Sequence, residues 1–549
     1  MEDAGTIACD VLVIGSGGAG LRAAIAAKEA GADVLLVTKS RVNFNSNTLI
    51  SAGLFAEPSG WYDSQDNPEI HTRDTLAGGR FIGDRKLISV VSNQIGRQVA
   101  FLEKCGVKLV AQRAGPDITV SPPPGHSFPR HIRSEGNNGR DFIVPLNNYA
   151  RKIGVRYAEK VLITRLFTTG GRFAAASGIT GDNRFLSFQA KCLILATGGF
   201  AQIYLNNDNA ASATGDGLAL AAQLGIPLRD MEFVQFYPTA TGKRGNRIVL
   251  YEGLIGRGAK FRNSIREDIL AKSGLLDRKS MTRDRITRAL MSEIIDGKGV
   301  DGGILLDLSS VPGSLPKSLT SLTGKEHPEP GMFVVTPTAH FCMGGIIISE
   351  SAETEVPGVY GAGEICTGVH GANRLAGNSL AEIFSIGEIA GNIAALKALD
   401  TNNPAFPEGE VVVEKARLES LILTDGQKTE RLSSSLKEVM WQKAGIIRQG
   451  SDLKEAILRI EELKLLSAKL EAGDSRGLIK SLEFKNMLLL SEMVCRAALL
   501  REESRGAHYR NDHPQEETAW LKNIIIHSRD TGIALKTVKA DPEIVTAAE

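Results

Sequence analysis

The sequence has no run of about 18 apolar residues, the length that a membrane-spanning helix needs. Its start, MEDAGTIACDVLVIG, has an acidic lead and only a short apolar run, which predicts a strand rather than a secretory signal. The six cysteines form no C-x-x-C pair, so we expect reduced thiols and no metal or cluster site. A net charge of +1 gives no reason to expect nucleic acid or an anionic membrane as a partner. These absences favour a cytoplasmic protein without a direct membrane span.

Glycine, in contrast, is abundant, with 58 residues among 549, and it is gathered in short motifs. The segment from Cys9 to Ser40 has the pattern of a strand, a glycine turn, an alanine-rich helix and a second strand. Gly15, Gly17 and Gly20 form G-x-G-x-x-G inside this unit. We expect a tight turn at the first glycine, close approach of a pyrophosphate at the second, and helix–strand packing at the third. The pattern predicts a dinucleotide-binding unit.

The second strand lacks the acidic residue that usually binds a nucleotide ribose, because it ends Val37-Thr38-Lys39-Ser40. Two later segments, Lys191 to Phe200 and Val359 to Gly368, also run from a buried strand into a glycine turn. We therefore expect one nucleotide-binding domain that is interrupted by an insertion. From about Pro407 onward, apolar residues recur at helical spacing, which predicts a helical domain.

Nine ordered motifs resemble the flavoprotein subunit of succinate dehydrogenase and fumarate reductase, a family that includes L-aspartate oxidase. The resemblance covers nearly the whole chain. The motifs are Gly15-x-Gly17-x-x-Gly20, ATGGF (196–200), TGDG (214–217), EFVQFYPT (232–239), TRD (282–284), PTAHFCMGG (337–345), GAGE (361–364), HGANRLAGNSL (370–380) and RGAHYR (505–510).

The resemblance implies an α/β fold with bound FAD. A Rossmann-like FAD-binding domain, at 1–230 and 338–404, is interrupted by an α+β capping domain at 231–337. A helical domain follows at 405–504, and a tail at 505–549 packs on the body. The residues expected to bind FAD are Gly15, Gly17, Gly18, Ala19, Gly20, Thr38, Lys39, Ser40, Asn47, Thr48, Gly53, Thr197, Gly198, Asp216, Glu364, Asn378, Ser379 and Leu380.

Two local features refine the expected FAD site. Members of the family with covalent FAD have His before the threonine that matches Thr48, whereas this chain has Asn47. An amide cannot form that bond, so we expect non-covalent FAD and either an enzyme that reduces a double bond or a soluble oxidase. We also expect Asn378 and Ser379 to cap a helix whose N-terminus faces the flavin, and the small residues Gly387 and Gly391 to let that helix pack closely.

The resemblance assigns the chemistry to three cationic residues. Arg283 matches the arginine that exchanges a proton with the substrate carbon, while hydride passes between the neighbouring carbon and flavin N5. Its structural alternative is an ion pair with Asp284. Arg374 and His340 match the pair that holds one substrate carboxylate, which a guanidinium can bind through two parallel hydrogen bonds.

Four positions concern the second carboxylate and the proton path; three depart from the family pattern and one retains it. Tyr237 replaces a histidine and Tyr251 a threonine, and both normally bind that carboxylate. Ile255 replaces an arginine of the proton path, while its catalytic glutamate is retained as Glu252; Arg257 is a candidate substitute for the arginine. We therefore expect a substrate with one carboxylate whose far end is larger or less charged, such as an aromatic, substituted or thioester group.

Two other functions remain open. L-Aspartate oxidase shares the PTAH and HGANR motifs, and PGHSFPRHIR (124–133) resembles its GHSxRR segment. However, Pro122-Pro123-Pro124 replaces the glutamate expected before that segment. The second alternative is an electron-transfer subunit of an iron–sulfur complex. If the protein is a reductase or an electron-transfer subunit, we expect an iron–sulfur partner subunit. Through this partner the chain could attach at the inner membrane face.

Overall fold

A computed structural model describes residues 1–111, 122–242, 248–250, 252–277, 281–311, 331–422, 426–529 and 532–540, without the side chains of 248, 252, 253 and 529. The strands are β1 Glu2–Ile14, β2 Val34–Thr38, β3 Leu54–Ala56, β4 Leu109–Ala111, β5 His131–Ser134, β6 Arg156–Glu159, β7 Val161–Thr169, β8 Arg172–Thr180, β9 Arg184–Leu195, β10 Leu228–Arg229, β11 Val234–Thr241, β12 Ile248–Val249, β13 Lys260–Arg262, β14 Ile304–Asp307, β15 Met332–Cys342, β16 Gly345–Ile346, β17 Val359–Gly361, β18 Gln427–Lys428, β19 Leu470–Glu471, β20 Lys522–Arg529 and β21 Gly532–Lys539.

The α-helices lie between these strands and, in the C-terminal region, form a group of their own. They are α1 Gly18–Glu29, α2 Asn47–Ile50, α3 Pro68–Gly78, α4 Arg85–Lys104, α5 Arg140–Lys152, α6 Asp216–Gln223, α7 Ile269–Lys272, α8 Arg283–Ile295, α9 Asn378–Leu399, α10 Glu408–Ser420, α11 Thr429–Lys443, α12 Gly450–Leu466 and α13 Ser475–Leu500. Short 3-10 helices span Ala201–Ile203, Glu252–Arg257 and Thr518–Trp520.

The central sheet has the strand order β6-β2-β1-β9-β8-β7, with β17 also paired to β9. Strands β6, β2, β1, β9 and β17 pair in parallel, whereas β7 and β8 are antiparallel. The apolar ends of the parallel strands, such as Val11–Ile14 and Val34–Val37, are buried because helices cover this part of the sheet. The predicted α/β fold is confirmed.

Helix α9 crosses α1 at very short range. A Cβ atom on Gly387 would lie 2.9 Å from the Ala19 carbonyl oxygen, and one on Gly391 would lie 2.3 Å from that of Ala23. The predicted close packing of the two glycines is therefore confirmed. By length and composition α9 is the one helix in the described ranges able to cross a membrane, but 67% of its most apolar window is buried inside the protein. It is a core helix.

A second sheet lies in the chain between β9 and β17 of the central sheet. Its strand order is β12-β11-β15-β14-β13, and every pairing is antiparallel. Helix α8 packs against β11 and β15. The sheet has its own apolar core, which includes Phe261, Leu290 and Val335. Because the inserted sheet has its own core, it can hold several side chains in fixed positions beside the edge of the central sheet.

The C-terminal region returns to the body of the protein. Strand β20 pairs with β10, with Ile526 opposite Leu228, and β21 completes this sheet at its edge. Arg501, which is fully buried, donates to Glu232 at 2.7 Å and to Glu503 at 3.0 Å. These charge-assisted bonds attach the end of α13 to the segment that leads into β11.

Candidate active site

A cavity of about 850 Å³ opens at the carboxyl ends of the parallel strands and extends to the inserted sheet. This volume is in the range of small-molecule and cofactor sites. The predicted FAD-binding residues that line it are Gly15, Gly17, Gly18, Ala19, Thr38, Lys39, Ser40, Asn47, Thr48, Gly53, Thr197, Gly198, Asp216, Glu364, Ser379 and Leu380. Four predicted substrate or catalytic residues, Tyr237, Arg283, His340 and Arg374, line the same cavity.

The glycine turn has the geometry that a dinucleotide requires. Gly15 has a φ of +116°, and a Cβ there would lie 2.1 Å from the Ala196 carbonyl oxygen. Gly20 does not line the cavity. A Cβ there would lie 1.9 Å from the Gly15 carbonyl oxygen, so the glycine at this position allows the helix to pack closely on the turn. At Gly17 the nearest atom to a Cβ would be 3.7 Å away. Helix α1 has no acidic residue in its first turn, so its positive end can meet a phosphate.

Thr197 provides a direct test of whether the cavity fits a cofactor. Its hydroxyl is buried and lacks a hydrogen-bond partner among the described residues, although the residue lines the cavity. A buried unsatisfied hydroxyl is costly unless a ligand completes its bonding. This hydroxyl and the open glycine turn fit the FAD that the sequence predicts.

Lys39 occupies the place of the missing ribose acid and carries a tight ionic cluster. Its ammonium donates to Asp216 at 2.5 Å, to Glu483 at 2.6 Å and to Thr214 at 2.6 Å. Burial opposes the charged form, but Asp216 and Glu483 outweigh it and raise the pKa of Lys39. The cluster therefore connects the rim of the cavity to α13.

Asn47 lies deep in a hydrogen-bond network. Its amide donates to Asn209 at 2.5 Å and to Glu364 at 3.1 Å, and its oxygen accepts from the Ala210 amide at 2.9 Å. Glu364 also accepts from the Cys342 amide at 3.1 Å. Burial raises the pKa of Glu364 to about 7. The side chain of Asn47 is thus fully committed to protein partners.

The predicted cap of α9 by Asn378 and Ser379 is wrong. The helix begins at Asn378 after Gly377, which has a φ of 83° that favours glycine, and the structure records no side-chain cap. Asn378 does not line the cavity, since its amide contacts His71 at 2.9 Å and Thr75 at 3.0 Å. Ser379 does line it and accepts from Arg374 at 3.3 Å. The sequence missed this because Asn and Ser favour caps in general.

Arg283, Tyr237 and His340 form one wall of the cavity. Arg283 is the first residue of α8 after Thr282, and its guanidinium carbon lies 4.7 Å from the centre of the Tyr237 ring. The Tyr237 and His340 rings are 5.0 Å apart. The two rings come from β11 and β15, which pair with Tyr237 opposite Thr338. The inserted sheet therefore aligns all three side chains.

His340 is oriented by Asp208, a residue that the sequence did not single out. The Nδ1 atom of His340 lies 2.7 Å from the Asp208 carboxylate, and the Asp208 amide donates to the Ala339 carbonyl at 3.2 Å. Burial lowers the pKa of His340 below its ordinary value. Asp208 opposes this shift, while Arg283 and Arg374 reinforce it. A neutral ring would then donate Nδ1–H to Asp208 and keep Nε2 as an acceptor.

Arg374 lies in the loop before α9 and is only 5% exposed. Its guanidinium donates to the Leu375 carbonyl at 3.4 Å and lies 4.7 Å from the centre of the Phe341 ring. The loop itself is held firmly, because Gln235 donates to the Arg374 carbonyl at 2.8 Å, and His126 and His131 contact the Ala376 carbonyl. Its backbone is thereby fixed beside His340.

Gln235 is a second residue that the sequence did not single out, although it lies in the EFVQFYPT motif. It is fully buried and accepts from Arg283 at 3.0 Å. Tyr251 lies outside the described residues, as does the side chain of Glu252, so both predictions concern parts of the chain that the structure does not describe. Arg257 is exposed at the end of the 3-10 helix that contains Ile255.

The segment that resembles the GHSxRR motif packs behind the Arg374 loop. Arg130 is fully buried and binds Asp66 at 2.7 Å and Asp74 at 3.0 Å. His126 and His131 both contact the Ala376 carbonyl, at 3.0 and 2.9 Å. None of these three side chains is among the residues lining the described cavity. In this protein the segment supports the loop.

Known proteins similar to this chain cover almost its whole length. The chain is 32% identical to a protein named as a subunit of the CoM/CoB fumarate reductase of Methanothermobacter marburgensis, over 95% of this chain and 97% of that one. It is 31% identical to an L-aspartate oxidase of Pyrococcus horikoshii, over 91% and 95% of the two chains. The solved FrdA chain of E. coli quinol fumarate reductase superposes with a TM-score of 0.90 at 26% identity, covering 98% and 97%.

The unsatisfied hydroxyl of Thr197 leads to a prediction for two quantities, the stability of the apoprotein and its affinity for FAD. We expect Thr197→Val to keep or raise the Tm of the apoprotein, because it removes an unsatisfied buried group, and to weaken FAD binding by about ten-fold, the worth of one hydrogen bond. Thr429→Val is the matched control, since the Thr429 hydroxyl lies 3.1 Å from that of Ser481 and outside the cavity lining; its loss should lower the apoprotein Tm and leave the FAD affinity unchanged. Calorimetry and FAD titration measure both; a lowered apoprotein Tm with unchanged FAD affinity in Thr197→Val would contradict the assignment.

Two family models account for most of the chain. The model described as FAD binding domain matches residues 10–380, and the model described as fumarate reductase flavoprotein C-term matches residues 433–547. The first match includes the glycine turn, the cavity wall and the Arg374 loop. The chain therefore belongs to the flavoprotein family of succinate dehydrogenase and fumarate reductase, and it is an FAD-dependent oxidoreductase that acts on CH–CH groups.

Proposed function

We propose that this protein reduces a carbon–carbon double bond conjugated to a carboxylate. Arg374 and His340 bind the carboxylate, Arg283 gives the proton, and FAD, when bound, supplies the hydride. The observation that carries this proposal is the convergence of Arg283, His340 and Arg374 on one cavity wall beside the FAD-binding residues. A protein that only relays electrons between partners has no need of this arrangement.

The carboxylate clamp polarises the substrate. A guanidinium binds a carboxylate in one plane through two hydrogen bonds, and an imidazolium adds a further donor. Held in a water-poor site, these charges draw electron density from the double bond and favour hydride addition at the far carbon. His340 must gain a proton to act as a donor at Nε2, and Asp208, 2.7 Å from Nδ1, stabilises the resulting charge.

Arg283 supports protonation of the remaining carbon. An arginine is a weak acid in water, but a carbanion in a dry site is more basic still. Arg283 is the first residue of α8, so the start of this helix holds it at the cavity wall. Its contact with the Tyr237 ring also keeps water from one face of the guanidinium. We propose Glu252 as the group that returns the proton to Arg283.

Tyr237 is the residue that supports a substrate other than a plain dicarboxylate. The ring is only 4% exposed and lies between Arg283 and His340, where the family pattern has a histidine. A phenol offers one neutral donor and a flat apolar face. We propose that the far end of the acid packs on this ring. Fumarate itself is the second candidate, favoured by the name of the methanogen relative.

We propose non-covalent FAD and a physiological role as a reductase. The support is Asn47, an amide at the family's attachment position, whose donors and acceptor are held by Asn209, Glu364 and Ala210. We also propose an iron–sulfur partner protein in the cytoplasm or at the inner membrane face. Its support is that the relatives include one named as part of a fumarate reductase with several subunits, and the FrdA chain of a quinol fumarate reductase.

The substrate proposal predicts a specific order of reactivity. With dithionite-reduced holoenzyme, we expect monomethyl fumarate or 2-substituted fumarates to reoxidise the flavin with kcat/KM no worse than that of fumarate. A site built to bind the second carboxylate would instead reject the ester by about 10⁴-fold. Stopped-flow absorbance of the flavin measures these rates.

The same assay separates the function from its alternatives. Arg283→Ala should lower the rate by about 10²- to 10⁴-fold, as the loss of a general acid does. Activity that survives this substitution would refute the proposed chemistry. Release of hydrogen peroxide on adding L-aspartate would favour the oxidase. Strict preference for fumarate over its ester would refute the open far end alone.

The mode of FAD attachment has its own test. After precipitation with trichloroacetic acid, we expect all flavin absorbance in the supernatant, because Asn47 cannot form the covalent bond to the flavin that a histidine forms in other members of the family. Asn47→His is the companion variant. If a histidine at this position is enough for attachment, its flavin should stay with the pellet; if attachment needs further residues, its flavin should be released. A yellow pellet from the unsubstituted protein would contradict non-covalent binding.

A further inference from the structure

A continuous hydrogen-bond chain runs from the carboxylate of Asp284 to the guanidinium of Arg283. The Arg283 Nη1 donates to Gln235 Oε1 at 3.0 Å, and Gln235 Nε2 donates to Asn373 Oδ1 at 2.8 Å. Asn373 Nδ2 then donates to Asp284 Oδ1 at 2.9 Å. Although Asp284 follows Arg283 directly in the sequence, this path between them passes through two other residues.

All three bonds point the same way, with each donor directed toward Asp284. Such a chain is cooperative, because each accepted bond makes the next group a better donor. The negative end at Asp284 therefore strengthens the acceptor that Gln235 offers to the positive guanidinium. Gln235 and Asn373 are buried, at 0% and 5% exposure, so water does not compete strongly for their amides.

The chain also joins two parts of the fold. Gln235 and Asp284 lie on β11 and α8 of the inserted unit, whereas Asn373 lies in the loop before α9. Gln235 Nε2 additionally donates to the Arg374 carbonyl at 2.8 Å. One amide thus fixes the distance between the residue proposed to give the proton and the residue proposed to bind the carboxylate.

We propose that Asp284 and Asn373 are positioning residues that act through Gln235 to aim Arg283 at the substrate carbon. The inference rests on the proposed function of Arg283. Asp284 touches no reacting atom in this account; its carboxylate fixes which way the Asn373 amide faces, so that Asn373 Oδ1 and the Arg374 carbonyl together accept from Gln235 Nε2. A reversed Gln235 amide would present donors to Arg283 and push the guanidinium away.

A charge exchange tests the proposal on the FAD-loaded enzyme. Asp284→Ala and Asn373→Asp should each lower kcat by about ten- to hundred-fold, the cost of misplacing a catalytic group. The KM for the acid should change by less than about three-fold, since the carboxylate clamp is retained. Asn373→Asp opposes two carboxylates, whereas in the double variant D284N/N373D the carboxylate at 373 accepts both from Gln235 and from the new amide at 284, so most of the lost kcat should be recovered. Asp296→Asn, at the exposed end of the same helix, is the control.

Three further measurements separate positioning from a structural effect. Flavin content and Tm should stay near those of the unsubstituted protein in D284N/N373D, and the solvent deuterium isotope effect on flavin reoxidation should rise in Asp284→Ala. Unchanged kcat in Asp284→Ala together with an inactive Arg283→Ala would overturn the positioning role alone. No recovery in a folded D284N/N373D would also overturn it. An active Arg283→Ala would overturn the proposed function instead.

Discussion

Three cationic or ionisable groups share one wall of a half-enclosed cavity, and their mutual repulsion is the constraint that shapes this site. Arg283 and Arg374 both lower the pKa of His340, in the same direction as burial. Neutral partners hold the two guanidinium groups in place, including Gln235, the Leu375 carbonyl and aromatic faces. An anionic ligand relieves this repulsion, which is why the proposed substrate is an organic acid.

The fold supplies this wall from three separate directions. The inserted sheet brings Tyr237 and His340 together by strand pairing, and α8 adds Arg283 at its first residue. The Arg374 loop comes from the FAD-binding part and is held from behind by the histidine-rich segment near Arg130. Because the two parts meet through Gln235 and Asn373, the site is complete only when the inserted sheet lies against the loop.

The features predictable from sequence are local ones. The glycine turn and the packing of Gly387 and Gly391 depend on backbone space over a few residues. Asp208 could not be found this way, because it lies 132 residues from His340, and Glu483 lies 444 residues from Lys39. The capping of α9 could not be read from the sequence. Asn378 and Ser379 are both good capping residues, but Gly377, with its positive φ, occupies the capping position before them. Gln235 was visible within a motif, but its role depends on the direction of its amide.

The most direct test of this account is the pH dependence of carboxylate binding. Asp208, Arg283, Arg374 and the Tyr237 ring surround or face His340, whose lowered pKa leaves the free ring mostly neutral at pH 7. Binding a carboxylate then requires proton uptake, so the Kd of monomethyl fumarate for the oxidised holoenzyme should rise about ten-fold per pH unit between pH 7 and 8. In His340→Gln, binding should be weaker and this slope should vanish. A slope that persists in the variant, or a Kd that does not change with pH in the unsubstituted protein, would contradict the central claim.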